Sequence, residues 1–263
     1  MNASEIKEIT VMSSIDLSAE KSLFYFPPGK EGTVPLVVGL HTWSAERHNQ
    51  VKAMLPLCQK RDWALLLPEF RGPNLTTNPR AKQACASRLA KQDIMDALDW
   101  TLKQHAIDEN NVFLVGGSGG GHMALMMAAY APARFRGISA WCPITDLAAW
   151  HGQNAKYAPH IEACCGGKPG AAPEVDKEYC DRSPLFQTAA MTNANLSVHH
   201  GRFDKSVPYS HTMRLAAEIE KLGAKNFFFE IFDGSHEIRC ETAFQWFDKL
   251  VQPDANSAKK LTR

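Results

Sequence analysis

The chain has 263 residues, 44% of them hydrophobic, which suffices for one large core and fits a single α/β domain. Its 29 basic and 28 acidic side chains leave a formal charge of +1, so it carries no electrostatic footprint for nucleic acid or an anionic membrane, and its expected partner is a small molecule. Seven cysteines without framework spacing, a start that reads MNASEIKEIT, and the lack of an uncharged apolar run of about eighteen residues fit reduced thiols in the cytoplasm, with neither an export signal nor a membrane span.

In chain order, two apolar runs, Ile6 to Met12 and Leu23 to Phe26, have no helical segment between them and predict an antiparallel pair at a sheet edge. Alternation then sets in. VPLVVGL (34 to 40) precedes a helix near Arg47 to Arg61, and WALLLP (63 to 68) leads through EFRGPN to a helix from about Ser87 to His105. NVFLVG leads into a glycine stretch and its helix, and FRGISAWC (135 to 142) follows. ANLSVHHG (194 to 201) precedes a helix near Tyr209 to Leu222, and NFFFEIF (226 to 232) precedes the last helix, Glu237 to Val251. About eight strands alternating with helices predict a mostly parallel sheet covered on both faces. Residues 1 to 251 read as one such domain, with a lid-like insertion at about 147 to 185, rich in Gly, Pro and Cys, and a polar tail over 252 to 263. Cys164, Cys165 and Cys180 share that insertion, where a disulfide could form.

The stretch VFLVGGSGGGHMALMMAAY (112 to 130) carries the chemistry. GGSGG, Gly116 to Gly120, fits G-x-S-x-G directly after a strand and before a helix, the context in which the serine of a tight, strained turn stands above the sheet as a nucleophile. A nucleotide cradle is the rival, since GGGHMA matches G-x-G-x-x-A with Asp146 as ribose ligand. However, Gly119 follows its strand too late and Asp146 lies beyond the next strand. A P-loop is excluded, because no Lys-Ser/Thr pair follows.

A serine nucleophile needs a base and a carboxylate to orient it, in the chain order Ser, Asp or Glu, His. His236, in the turn FDGSHEI after the last strand, is the expected base. His122, His199, His200 and His211 read as structural. Asp204, in the loop HHGRFDKSVP, is the expected acid, with Asp146 as the alternative and Asp233 too near His236 in sequence. The oxyanion donors expected are the amides of Gly119 and Trp43, with Thr42 second to Trp43.

Taken together, VFLVGGSGGGHMAL, GRFDKSVP, DGSHEI, EFRGPN and QDIMDALDW resemble the catalytic domain of the prolyl oligopeptidase-like branch of the α/β-hydrolases, over roughly residues 34 to 251. The resemblance implies an α/β-hydrolase fold, the triad Ser118, Asp204 and His236, and a structural ion pair of Arg71 with Asp93. The insertion's CCGGKPG and RSPL are similar to the family's connection before the acid's strand. The chain departs where such enzymes often have His-Gly-Gly, reading His41-Thr42-Trp43, so an indole narrows the acyl site. It also leaves no room before residue 34 for the propeller of the large peptidases, which for this resemblance favours esters over peptides.

The expected function is therefore hydrolysis of carboxylic esters, acyl or carbohydrate, through an acyl-enzyme, with a small-molecule ester as partner and no metal or organic cofactor. Trp43, Trp150 and His151 are the candidate lining of the substrate pocket. His151, His160, Cys164, Cys165 and Cys180 match no standard zinc spacing. A peptidase or amidase is the alternative activity, and a binding module on a decayed hydrolase scaffold is the alternative class. The sequence specifies neither acyl group, alcohol nor oligomeric state.

Overall fold

A computed structural model describes residues 6–251. Its strands are β1 (Lys7–Met12), β2 (Ala19–Tyr25), β3 (Val34–Leu40), β4 (Ala64–Pro68), β5 (Ile107–Gly117), β6 (Gly137–Trp141), β7 (Leu196–Gly201) and β8 (Phe227–Phe232). They form one eight-stranded sheet in the order β1-β2-β4-β3-β5-β6-β7-β8. β1 pairs antiparallel with β2 and β2 with β4, and every later pairing is parallel. The runs of Val and Leu in β3, β4 and the second half of β5 are buried on both faces, as central parallel strands require.

The helices are α1 (Val51–Arg61), α2 (Arg88–Gln104), α3 (Gly119–Tyr130), α4 (Leu147–Gln153), α5 (Ala158–Cys165), α6 (Pro173–Asp181), α7 (Thr188–Met191), α8 (Ser210–Lys221) and α9 (Cys240–Leu250). One core layer joins Leu36, Val38 and Leu114 to Ile94 and Leu98 of α2, Met123 and Met127 of α3, and Leu215 and Ile219 of α8. The opposite layer joins Val37, Phe113 and Val115 to Met54 and Leu55 of α1 and Phe244 and Phe247 of α9. Neighbouring strand residues thus serve opposite layers, the period-two consequence of a pleated strand. The expected architecture, an α/β-hydrolase sheet with helices on both faces, is what the chain adopts.

β2 begins at Ala19, four residues before the apolar run that predicts it. Its early part alternates exposed and buried positions, and the buried Glu20 carboxylate is satisfied by Arg80. A polar residue there extends the strand because a cation meets it.

Residues 147 to 185 form α4, α5 and α6 around a cluster of their own. Leu147, Trp150, Ile161, Cys164, Val175 and Tyr179 pack on Trp43 and Val207. All seven cysteines are free thiols, with Cys164 and Cys165 buried and Cys180 exposed. The polar tail expected over 252 to 263 lies outside the described residues. Among those described, no helix is long and apolar enough to cross a membrane.

Strand β3 has β4 on one side and β5 on the other, so the chain reverses its direction of travel across the sheet there. In open α/β sheets the carboxyl ends of the strands at such a point bind ligands. The loops after β3, β5, β6, β7 and β8 carry the residues considered next.

Candidate active site

Ser118 is the single residue between β5 and α3, and it adopts φ +56° and ψ −122°, a left-handed backbone that costs a non-glycine residue free energy. Its N–H donates to Trp141 O at 2.8 Å and its carbonyl accepts from His122 N at 2.9 Å. The strain is therefore pinned from both sides. A side chain at Gly116 would put Cβ 2.2 Å from Gly120 O, so this close approach of strand and helix admits only glycine. A Cβ at Gly119 would lie 2.4 Å from Trp43 N. The first turn of α3, whose amides have no partner within the helix, therefore abuts the backbone of Trp43. Buried His41, stacked on Phe70 at 3.9 Å, anchors that loop from behind.

His236 Nδ1 lies 2.6 Å from Asp204 Oδ2. A carboxylate only accepts, so Nδ1 carries a proton, and in the neutral imidazole the lone pair is therefore on Nε2. The Asp204 side chain is fully buried while that of His236 is 29% exposed. The other carboxylate oxygen, Oδ1, accepts from the amides of Ser206 at 2.8 Å and Val207 at 2.9 Å. A second imidazole, His200, places Nε2 3.1 Å from Oδ2 and 2.8 Å from Val207 O. Burial by itself would raise the pKa of Asp204. Donors from His200, His236 and the Val207 amide outweigh it and hold the carboxyl well below the usual range.

Ser118 and His236 line one cavity of about 450 Å³, together with Thr42, Trp43, Cys142 and Tyr157. Ser118 and His236 thus meet at one cavity, with Asp204 bonded behind His236, in loops that follow the carboxyl ends of β5, β7 and β8. Asp146, the alternative acid, is occupied elsewhere: its carboxylate caps α4 at Ala149 N and pairs with Arg214 at 3.0 Å.

Two expected pocket residues are not in the cavity wall. Trp150 is buried, its indole N–H donating to Ser206 O at 2.9 Å and its ring packing on Trp43 and Tyr157. His151, one position on, turns about 100° around the helix and is taken by Glu162 of α5 at 2.8 Å. Tyr157, between α4 and α5, supplies the aromatic wall instead. The nitrogens of His151 and His160 are likewise engaged apart from the insertion's thiols, by Glu162 and by Thr76 N.

Two neighbours of the site escape sequence reasoning. His200 reads as a strand residue like His199, yet the pleat sends them to opposite faces. His199 stacks on Trp141 and meets Glu230, while His200 reaches Asp204. The four-residue spacing of His200 and Asp204 across a tight loop is the one signal available. Cys142 is the other: its thiol donates to Glu237 O at 3.5 Å, and burial pushes its pKa up to about 12. Cys142 Sγ, an Asp204 oxygen and a His236 nitrogen lie within 4.8 Å of one another, which among the described residues makes this trio a group able to hold a metal ion.

Comparison with known proteins bears on this geometry. A profile of the prolyl oligopeptidase family matches residues 81–257. Acylamino-acid-releasing enzyme 2 of rice (Oryza sativa subsp. japonica) is 24% identical over 238 residues, covering 84% of this chain and 30% of the rice protein. A protein described as a probable acetylxylan esterase A, from Aspergillus clavatus, is 25% identical over 196 residues, 70% of this chain and 60% of that one. The chain thus spans less than a third of the rice relative. Among solved structures, the acylaminoacyl peptidase of Pyrococcus horikoshii superposes with a TM-score of 0.72 at 18% identity, over 94% of this chain and 40% of that one.

Proposed function

The chain belongs to the prolyl oligopeptidase family, and on that premise we propose that it is a serine hydrolase cleaving carboxylic esters of small acyl groups through an acyl-enzyme. The observation that carries the reading is the 2.6 Å bond from His236 Nδ1 to buried Asp204. It leaves Nε2 as a base in the cavity that Ser118 also lines. Ser118 Oγ attacks the ester carbonyl as His236 Nε2 takes its proton. The amides of Gly119 and Trp43 hold the tetrahedral oxyanion, and His236 returns the proton to the departing alcohol. Water then repeats the sequence on the acyl-enzyme. Each oxyanion donor contributes roughly a hundredfold or more in turnover.

Three features support an ester of modest size. The cavity is about 450 Å³, aromatic Trp43 and Tyr157 wall it, and the Aspergillus relative is described as an esterase. Helices α4 to α6 act as its lid by holding Tyr157 over the site. The seven free thiols support a reducing, cytoplasmic setting. Peptide or amide hydrolysis is the second reading, favoured by the rice and Pyrococcus relatives.

The two separate on a panel of nitrophenyl esters of increasing acyl length beside acylated and free peptide anilides. The expected result is higher kcat/KM on short acyl esters, abolished in Ser118→Ala. Faster turnover of the anilides would reverse the order, and a folded protein inert toward all of them would favour a binding module.

A further inference from the structure

The thiol of Cys142 has no part in acyl transfer, yet it stands behind the base. Its sulfur, a carboxylate oxygen of Asp204 and a ring nitrogen of His236 lie within 4.8 Å of one another. They come from three separate loops at the ends of β6, β7 and β8. Thiolate, imidazole and carboxylate are the donor set that zinc takes at about 2.0 to 2.3 Å. Around such an ion the donors sit roughly 3.3 to 3.8 Å apart. The thiol must therefore close in slightly and the Asp204–His236 pair must open by about an ångström. His236 lies in the turn between β8 and α9, outside any helix or strand ladder. Cys142 and His236 both line the solvent-facing cavity, so an ion has a path in.

We propose that Cys142, Asp204 and His236 form an inhibitory site for a zinc ion, distinct from any cofactor role. The ion takes the Cys142 thiolate, an Asp204 oxygen and His236 Nδ1. The thiol releases one proton to solvent. The proton of Nδ1 moves to Nε2, so the imidazole stays neutral and the count is one proton released per ion bound. With a proton on Nε2, His236 cannot accept one from Ser118, and attack stops. The cavity in front of Ser118 stays open, so the block falls on kcat and spares KM. The inhibitory half rests on the proposed triad, whereas the binding half does not.

The test uses the full chain carrying Cys180→Ser, which removes the exposed thiol. Cobalt(II) chloride serves as spectroscopic probe and zinc chloride as inhibitor. The parent should develop a thiolate-to-cobalt charge-transfer band at one equivalent. Zinc should lower its ester kcat about tenfold or more with KM little changed, reversibly with a chelator. Cys142→Ser should lose the band and, relative to its own metal-free rate, need about tenfold more zinc. Cys142→Ala serves if the serine variant is unstable. Absence of the band in the parent, or zinc sensitivity in Cys142→Ser and Cys142→Ala equal to that of the parent, overturns the proposal. If the parent turns over no substrate, the band and its loss in Cys142→Ser still decide whether the site binds metal.

Discussion

Two buried carboxylates, Asp93 and Asp204, belong to different side-chain clusters and are treated differently. Asp93 on α2 meets the guanidinium of Arg71 through two contacts, Nε with Oδ2 and Nη2 with Oδ1 at 3.0 Å. The rest of the Arg71 fork is taken by Asp16, Gln83 and Ser13. Both side chains are 1% exposed, and burial raises the Asp93 pKa in spite of the arginine. Asp204 is as deeply buried, but its donors are two amides and two imidazoles, and its pKa falls. The Arg71 cluster is closed, since every donor of the guanidinium ends on an acceptor inside the protein. The Asp204 cluster is open, since one of its donors is an imidazole whose far nitrogen faces a cavity. Burial and satisfied hydrogen bonds are common to both. A titratable partner with one free side is what makes a carboxylate useful for chemistry rather than for holding loops.

Each cluster can be broken separately, and the contrast predicts different readouts. Asp204→Asn should lower ester kcat by about 10⁴-fold, because the amide favours the wrong imidazole tautomer, and steady-state kinetics on a protein of near-native Tm will show it. Arg71→Met should leave kcat within a few-fold of wild type but cost about 3 to 5 kcal/mol of stability, since it strands Asp93 without its cation; urea unfolding measures this. A kcat loss in Arg71→Met as large as in Asp204→Asn would erase the distinction.

The contrast sharpens at His200. His200→Phe should cost about 1.5 to 3 kcal/mol in the transition state, roughly ten- to a hundredfold in kcat at similar KM, by removing one donor from the Asp204 carboxylate. His200→Gln, whose amide can reach the place of Nε2, should recover most of it.

Per pH unit, the smallest effect belongs to two histidines outside both clusters. Burial holds His122 and His211 down at about 4, against about 6.5 unfolded. Their folded pKa values are depressed, so the stability they contribute is complete above about pH 6.5. It is lost as pH falls towards 4, by at most about 1.4 kcal/mol per pH unit for each. Unfolding free energies measured across that window should fall with acidity, and His122→Phe should flatten the slope by one histidine's share.

What the sequence disclosed follows the range of the interactions involved. The strand, glycine turn and helix around Ser118 are local, and Gly116 is dictated by its contact with Gly120, although Gly120 itself is dictated by the distant carbonyls of Leu40 and His41. The strands along the chain and the mostly parallel sheet followed from alternation of apolar runs, although β2 began early because a distant arginine meets Glu20. Chain order alone favoured Asp204 over Asp146, and the structure supplies the reason in the cap and cation that occupy Asp146. Facing directions within the insertion were not legible, because one step around α4 separates a buried Trp150 from a His151 held by Glu162. The same one-step ambiguity hid His200 beside His199. Cys142, Asp204 and His236 converge from three loops, and no pattern along the chain encodes that meeting.

The account depends on Ser118 Oγ being a nucleophile that His236 activates. Treatment of wild type, Ser118→Ala and His236→Ala with a fluorophosphonate, followed by peptide mapping of the adduct, tests this directly. The account predicts one phosphonyl group on Ser118 in wild type, none in Ser118→Ala, and labelling slowed by about three orders of magnitude in His236→Ala. An adduct elsewhere, or wild-type protein that stays unlabelled while correctly folded, would contradict it.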